Sequence, residues 1–115
     1  MKILLPVIAL AALSAGPVFA DCAAPDNNVQ VPDGSVATRE EMIATQKAVQ
    51  AYDAAVKTFT DCLQQEQQQK LEAGGDKVKL QKHYAELNNA AVEKVQQLAD
   101  KFNTELKAYK AKSAG

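Results

Sequence analysis

The chain has 115 residues, 13 Lys and Arg against 14 Asp and Glu (formal net charge −1), two Cys, one His and no Trp. That length allows one small domain at most and excludes any multidomain reading. A single His and few nucleophiles leave almost no material for a Ser–His–Asp or Cys–His centre, so an enzyme is not expected and no cofactor is expected.

Residues 1–20 have the three-part layout of a secretory signal. Lys2 supplies the positive start, Ile3 to Leu13 is an apolar run broken by Pro6, and Ser14 to Ala20 is a small-residue tail. Val18 and Ala20 sit where a signal peptidase reads, which places cleavage between Ala20 and Asp21. The apolar run falls short of the roughly 20 residues that a bilayer needs, so it is not read as an anchor. Asp21 before Cys22 is the wrong residue for a lipoprotein site, and Cys22 is read as an ordinary thiol. The expected location is the periplasm or the medium of a bacterium.

Beyond this segment no stretch is apolar enough to cross a membrane. Residues 21–75 hold 9 acidic and 4 basic side chains, and residues 76–115 hold 5 acidic and 8 basic. Halves of opposite sign pair with each other more naturally than with nucleic acid, and no nucleic-acid partner is expected.

Cys22 and Cys62 are the two thiols, and export places them where disulfides persist. Two Cys allow one intramolecular connectivity. No Cys-x-x-Cys pattern and no adjacent Lys, Arg or His argues for redox chemistry. A structural bridge is therefore expected.

The mature chain opens with residues 21–37, where Pro25, Pro32, an Asn pair and Asp33-Gly34 are turn and extended-chain signals. This is read as an extended arm. Thr38 and Glu41 then form a capping box, and Glu40 and Glu41 suit the positive end of a helix dipole. A first helix is expected over about 39–72, a turn at 73–76 set by Gly74-Gly75, and a second helix capped by Asp76 over about 77–112, with 113–115 as a tail. Each helix would be on the order of 50 Å long.

The apolar spacing gives both helices a seam. In the first, Met42, Val49, Val56 and Leu63 recur every seven residues with Tyr52 and Phe59 between them, and Thr45 and Glu66 are the weak points. In the second, Leu80, Tyr84, Leu87, Ala91, Val95, Leu98, Phe102, Leu106 and Tyr109 step by three and four in an eleven-residue pattern. The periods differ, so little supercoil is expected. The fold class is all-α, an antiparallel two-helix hairpin over 38–112 with an extended arm tied to helix 1 by one disulfide. If facing positions sum to about 150, Leu63 meets Leu87, Phe59 meets Ala91, Val56 meets Val95, Tyr52 meets Leu98 and Val49 meets Phe102. Lys57 and Glu93 would also meet. A swapped dimer would bury the same seams.

The bridge is within reach. Cys62 lies roughly 36 Å up the helix from Thr38, and sixteen extended residues span up to about 53 Å. The arm can double back along the first helix and lay Val29, Val31, Pro32 and Val36 on the pair as a partial third layer. A two-helix domain needs such a staple.

Other features read blandly. His83 with Glu86 one turn away offers two metal ligands, too few for a site, and no metal site is expected. The tract Gln64 to Gln69 is read as a helical stretch near the turn, its alternative being a polar contact surface. Phe102, Leu106 and Tyr109 with Lys101, Lys107, Lys110 and Lys112 are read as seam flanked by snorkelling lysines, with contact to an anionic membrane surface as the lesser reading.

The pattern Cys22…Pro32-Asp33-Gly34…Ala37-Thr38…Glu41-Met42…Val49…Tyr52…Cys62-Leu63 resembles a set of short exported proteobacterial proteins of unknown function. In those, a Cys and a Pro-Asp-Gly arm precede a helix whose second Cys is followed by Leu. The resemblance covers roughly residues 22–63 and implies export and the bridge, and it brings no activity. Periplasmic holdases of the Skp and Spy types share architecture alone. The expected function is non-enzymatic: a helical protein that binds another protein, as a chaperone-like or adaptor factor. The alternatives are a self-associating structural envelope coiled coil and a small ligand or metal carrier using His83.

Overall fold

A computed structural model of the chain describes residues 22–114; the expected leader, its cleavage site and Asp21 lie outside the described residues. Helix α1 spans Arg39–Glu72 and helix α2 spans Lys77–Ala114, and the two pack as an antiparallel hairpin. Among the described residues there is no strand.

Each end of α1 is set by its own residues. Thr38 has extended backbone and its hydroxyl accepts from the Glu41 N–H at 3.1 Å, while the Glu41 carboxylate accepts from the Thr38 N–H at 3.3 Å. Two of the orphan N–H groups of the first turn are thereby satisfied. At the other end the Gly74 N–H donates to the Leu71 carbonyl at 3.1 Å and the Gly75 N–H to the Lys70 carbonyl at 2.9 Å, the paired bonds of a Schellman stop. Gly74 has φ +91°, a conformation that favours glycine. Asp76 then caps α2, its carboxylate accepting from the Val78 and Lys79 N–H groups at 3.0 and 3.1 Å. The chain thus reverses in four residues, which leaves the helices antiparallel neighbours.

α2 continues past 112 through Ser113 and Ala114, so the expected tail is helical there. No Gly or Pro interrupts the run, and the Ser113 hydroxyl donates back to the Tyr109 carbonyl at 3.1 Å.

The core lies along the seam in two parts. Tyr52, Val56, Phe59 and Leu63 on α1 cluster with Tyr84, Ala91 and Leu98 on α2, and Val49, Leu80 and Val95 pack against them half-buried. Nearer the open end Met42, Phe102 and Ala37 form a second cluster with Leu106 and Tyr109 at its border. Leu87 is an exception among the expected seam residues: it is 36% exposed. At about 100° per residue it falls some 50° off the line through Tyr84 and Ala91. The Tyr84 ring joins the cluster around Leu63 instead.

The two polar interruptions of the α1 seam are both satisfied. Thr45 is buried and its hydroxyl donates to the Glu41 carbonyl at 2.7 Å. Glu66 accepts the Tyr84 hydroxyl at 2.8 Å. Lys57 does not reach across to Glu93. It pairs with Asp53 on its own helix at 3.1 Å, and Glu93 accepts from Gln97.

The arm doubles back along α1 and is held at both ends. A disulfide joins Cys22 to Cys62, with the Cα atoms 5.7 Å apart. Val29 and Val31 pack on the core, and Pro32 is half-buried. At the far end the Gly34 N–H donates to the Glu105 carboxylate at 2.7 Å and Lys112 donates to the Ala37 carbonyl at 2.8 Å, which ties the arm to α2. Val36 does not join this layer; it is 76% exposed. The turn that begins at Asp33, whose carbonyl accepts from Val36 and Ala37, points Ala37 inward in its place.

Candidate functional site

The arm makes the two sides of the helix pair unlike. On α1, Ala55, Thr58 and Cys62 face the arm together with Ala23 and Pro25. On α2, Leu87, Ala90 and Lys94 flank it, beside a small cavity of about 150 Å³ that Ala24 and Pro25 help to close. This side is covered and largely apolar.

The opposite side carries no arm residue. Thr60, Gln64 and Gln67 turn to it from α1, on the flank of the seam away from Cys62, and Gln81, Ala85, Asn88 and Asn89 from α2. With Leu63 and Tyr84 at the floor they form an open groove of about 390 Å³ near the hairpin turn. No charged side chain lines it. None of its five amides has a protein hydrogen-bond partner among the described residues, whereas Gln68 and Gln97 elsewhere on the helices donate to neighbouring glutamates.

The neutrality extends along α2. At steps of three and four from Val78 the same flank reads Gln81, Ala85, Asn88, Val92, Gln96, Ala99 and Asn103, with Val78 and Val92 exposed and no charge among them. Beyond Asn103 this strip ends at Lys107 and Lys110, and the acids of α2 occupy other flanks. Farther toward the open end, Arg39, Ile43 and Gln46 line a second shallow groove over Met42 and Phe102.

Behind the amide groove lies a polar cluster that fixes its floor. Tyr84 is 3% exposed, its hydroxyl held by Glu66, with the Lys70 ammonium 5.6 Å from its ring centroid. Burial raises the Tyr84 pKa above its ordinary value; Lys70 opposes this and Glu66 adds to it. At the other end of the arm the Asp33 carboxyl lies below the usual range because it accepts from the Ser35 hydroxyl at 2.6 Å and the Ser35 N–H at 2.9 Å.

His83 is exposed and meets Tyr84 edge-on at 5.1 Å. Among the described residues no three His, Cys, Asp or Glu side chains gather closely enough to hold a metal ion, and both cysteines are joined to each other. No described helix is long and apolar enough to cross a membrane. In the basic C-terminal stretch, Phe102 is buried, Leu106 and Tyr109 are half-buried, and the Lys112 ammonium lies 5.3 Å from the Tyr109 ring centroid while bonding Ala37.

The amide groove escapes a reading by hydrophobic period, which sees Gln64 and Gln67 as part of a low-complexity tract and passes over Asn88 and Asn89. A signal was present: amides recur at helical spacing on α2 with no intervening charge. Its pairing with the Gln tract depends on the hairpin register. The chain matches no family model, no curated protein and no solved structure.

Proposed function

We propose that this is an exported, non-enzymatic helical protein that binds other proteins, as a chaperone-like or adaptor factor of the periplasm. What carries this reading is the unequal cover of the helix pair. One side is closed by the arm, and the other presents an uncharged strip of Gln, Asn, Ala and Val along α2. Charged residues are the usual occupants of an exposed helix flank, and their depletion is a mark of interaction surfaces. The Cys22–Cys62 disulfide fits an oxidising compartment.

The test is to trap the protein in its own envelope with a short amine crosslinker, through its lysines, and identify what is joined to it. A broad set of partly folded outer-membrane proteins supports the chaperone-like form, and one stoichiometric partner supports the adaptor. Crosslinks to copies of itself alone would replace this proposal with a self-associating structural role.

A further inference from the structure

We propose that Asp33–Gly34 is a modification site, where the backbone isomerises from aspartate to isoaspartate, and that Glu105 holds this reaction back while the arm is seated. The site stands independently of the protein-binding reading above.

The reaction is intramolecular and needs water alone. The Gly34 nitrogen attacks the carboxyl carbon of the Asp33 side chain and loses its proton. An N–Cγ bond forms, one carboxyl oxygen leaves as water, and a five-membered succinimide closes. Water then adds to either ring carbonyl. Opening at the main-chain carbonyl breaks its bond to the Gly34 nitrogen, and the chain then runs through the former side chain. Glycine favours ring closure because no Cβ crowds the approach to its nitrogen. No other Asp or Asn in the sequence precedes a Gly.

Both reacting groups are occupied in the closed arm. Gly34 is buried, and its N–H donates to the Glu105 carboxylate at 2.7 Å. That carboxylate opposes loss of the proton, because the anion formed would face a second negative charge. The Asp33 carboxyl is exposed, but it accepts from the Ser35 hydroxyl at 2.6 Å and the Ser35 N–H at 2.9 Å. These bonds favour its ionised form, which is the poorer electrophile. The Gly34–Glu105 bond joins residues 71 apart, so it exists only while the turn lies on α2. Lifting the turn frees the amide to react.

Once isomerised, the turn does not reseat. The chain gains one backbone carbon where even a Cβ on Gly34 would overlap the Glu105 carbonyl oxygen. The Asp33 carbonyl, which accepts from Val36 and Ala37, becomes a side-chain carboxylate. A transient lifting of the arm is thereby made lasting at this end, while the Cys22–Cys62 bridge still holds the other.

The test ages the oxidised protein at neutral pH in heavy-oxygen water. Each passage through the ring leaves one heavy oxygen at residue 33, which fragmentation mass spectrometry locates. The parent should label at least about tenfold more slowly than the same chain unfolded in guanidinium. Glu105→Ala should label about tenfold faster than the parent, the worth of one charge-assisted hydrogen bond. A helical spectrum checks that the variant is folded. Tyr84→Phe, which loses a hydrogen bond near the hairpin turn, should label as the parent does and so separates the guard from general loosening. Parent labelling as fast as the unfolded chain, Glu105→Ala labelling no faster than the parent, or Tyr84→Phe matching Glu105→Ala would overturn the proposal. In purified isoaspartyl protein the Gly34 amide should exchange its hydrogen faster than in the parent; equal protection would overturn the lasting release.

Discussion

Gly34 lies against the backbone of α2. A Cβ placed there would overlap the Glu105 carbonyl oxygen and come within 2.7 Å of its carbon and 3.0 Å of the Tyr109 nitrogen. These are backbone atoms of a helix and cannot yield as a flexible side chain can. Gly34→Ala should therefore lower stability by roughly 1–3 kcal/mol, seen as a lower thermal midpoint with helix content kept; an unchanged midpoint would show that the turn is not seated on α2. The neighbouring Asp33 offers a pH test. Its folded pKa is depressed by the two Ser35 bonds, so its contribution is present above the unfolded carboxyl value and is lost as pH falls through the folded value. Asp33→Asn keeps an acceptor for the turn and removes the titration. Urea midpoints measured from neutral pH into acid should fall less steeply for the variant than for the parent. The Asp33-Gly34 pair was legible as a turn, but its closeness to α2 was not, because a long-range backbone approach leaves no local mark beyond the glycine itself.

α1 and α2 were legible because their start and stop residues act locally: the Thr38 and Glu41 box, the Gly74-Gly75 stop and the Asp76 cap each bond within a few residues. Side-chain size at the seam was harder to read. Leu87 shares a nominal three-and-four step with its neighbours, yet Tyr84 is the residue buried among the α1 side chains near the turn and Leu87 is displaced toward the arm. The Tyr84 hydroxyl and the Glu66 carboxylate satisfy each other in an otherwise apolar seam. Because burial raises the Tyr84 pKa, the folded protein holds that proton more tightly than the unfolded chain does. Stability should therefore fall as pH rises through the ordinary tyrosine value near 10. Tyr84→Phe should flatten this alkaline loss while costing about 1 kcal/mol at neutral pH from the lost bond to Glu66. Chemical denaturation at neutral and alkaline pH measures both terms, and an equally steep alkaline loss in the variant would assign it to another group.

At the scale of the molecule, two helices bury few residues from both sides, and the arm supplies the third layer. The bridge that holds it closes a loop with a sequence separation of 40. In the chain-entropy treatment such a loop is worth about 4 kcal/mol, so Cys22→Ser with Cys62→Ser should lower the thermal midpoint by well over ten degrees or leave the chain unfolded. The arm should also become cleavable by protease between Ala23 and Val31 before the helices melt; equal protection in the bridged and unbridged forms would show that packing alone retains it. Fold class and bridge were readable because both follow from spacing along one chain. The amide groove was not, since its walls come from residues about twenty positions apart whose juxtaposition depends on the hairpin register.

The same bridge has a mechanical consequence. Cys22 is joined directly to a point ten residues short of the end of α1, while Ala114 ends α2 at the opposite end of the hairpin. Tension applied between residues 22 and 114 passes through the sulfur link into Cys62 and on through the turn into α2. Residues 23–61 are left out of the covalent load path. Pulled from its ends, the molecule resists in shear along the seam, and its largest possible extension is shortened by the length of that bypassed loop.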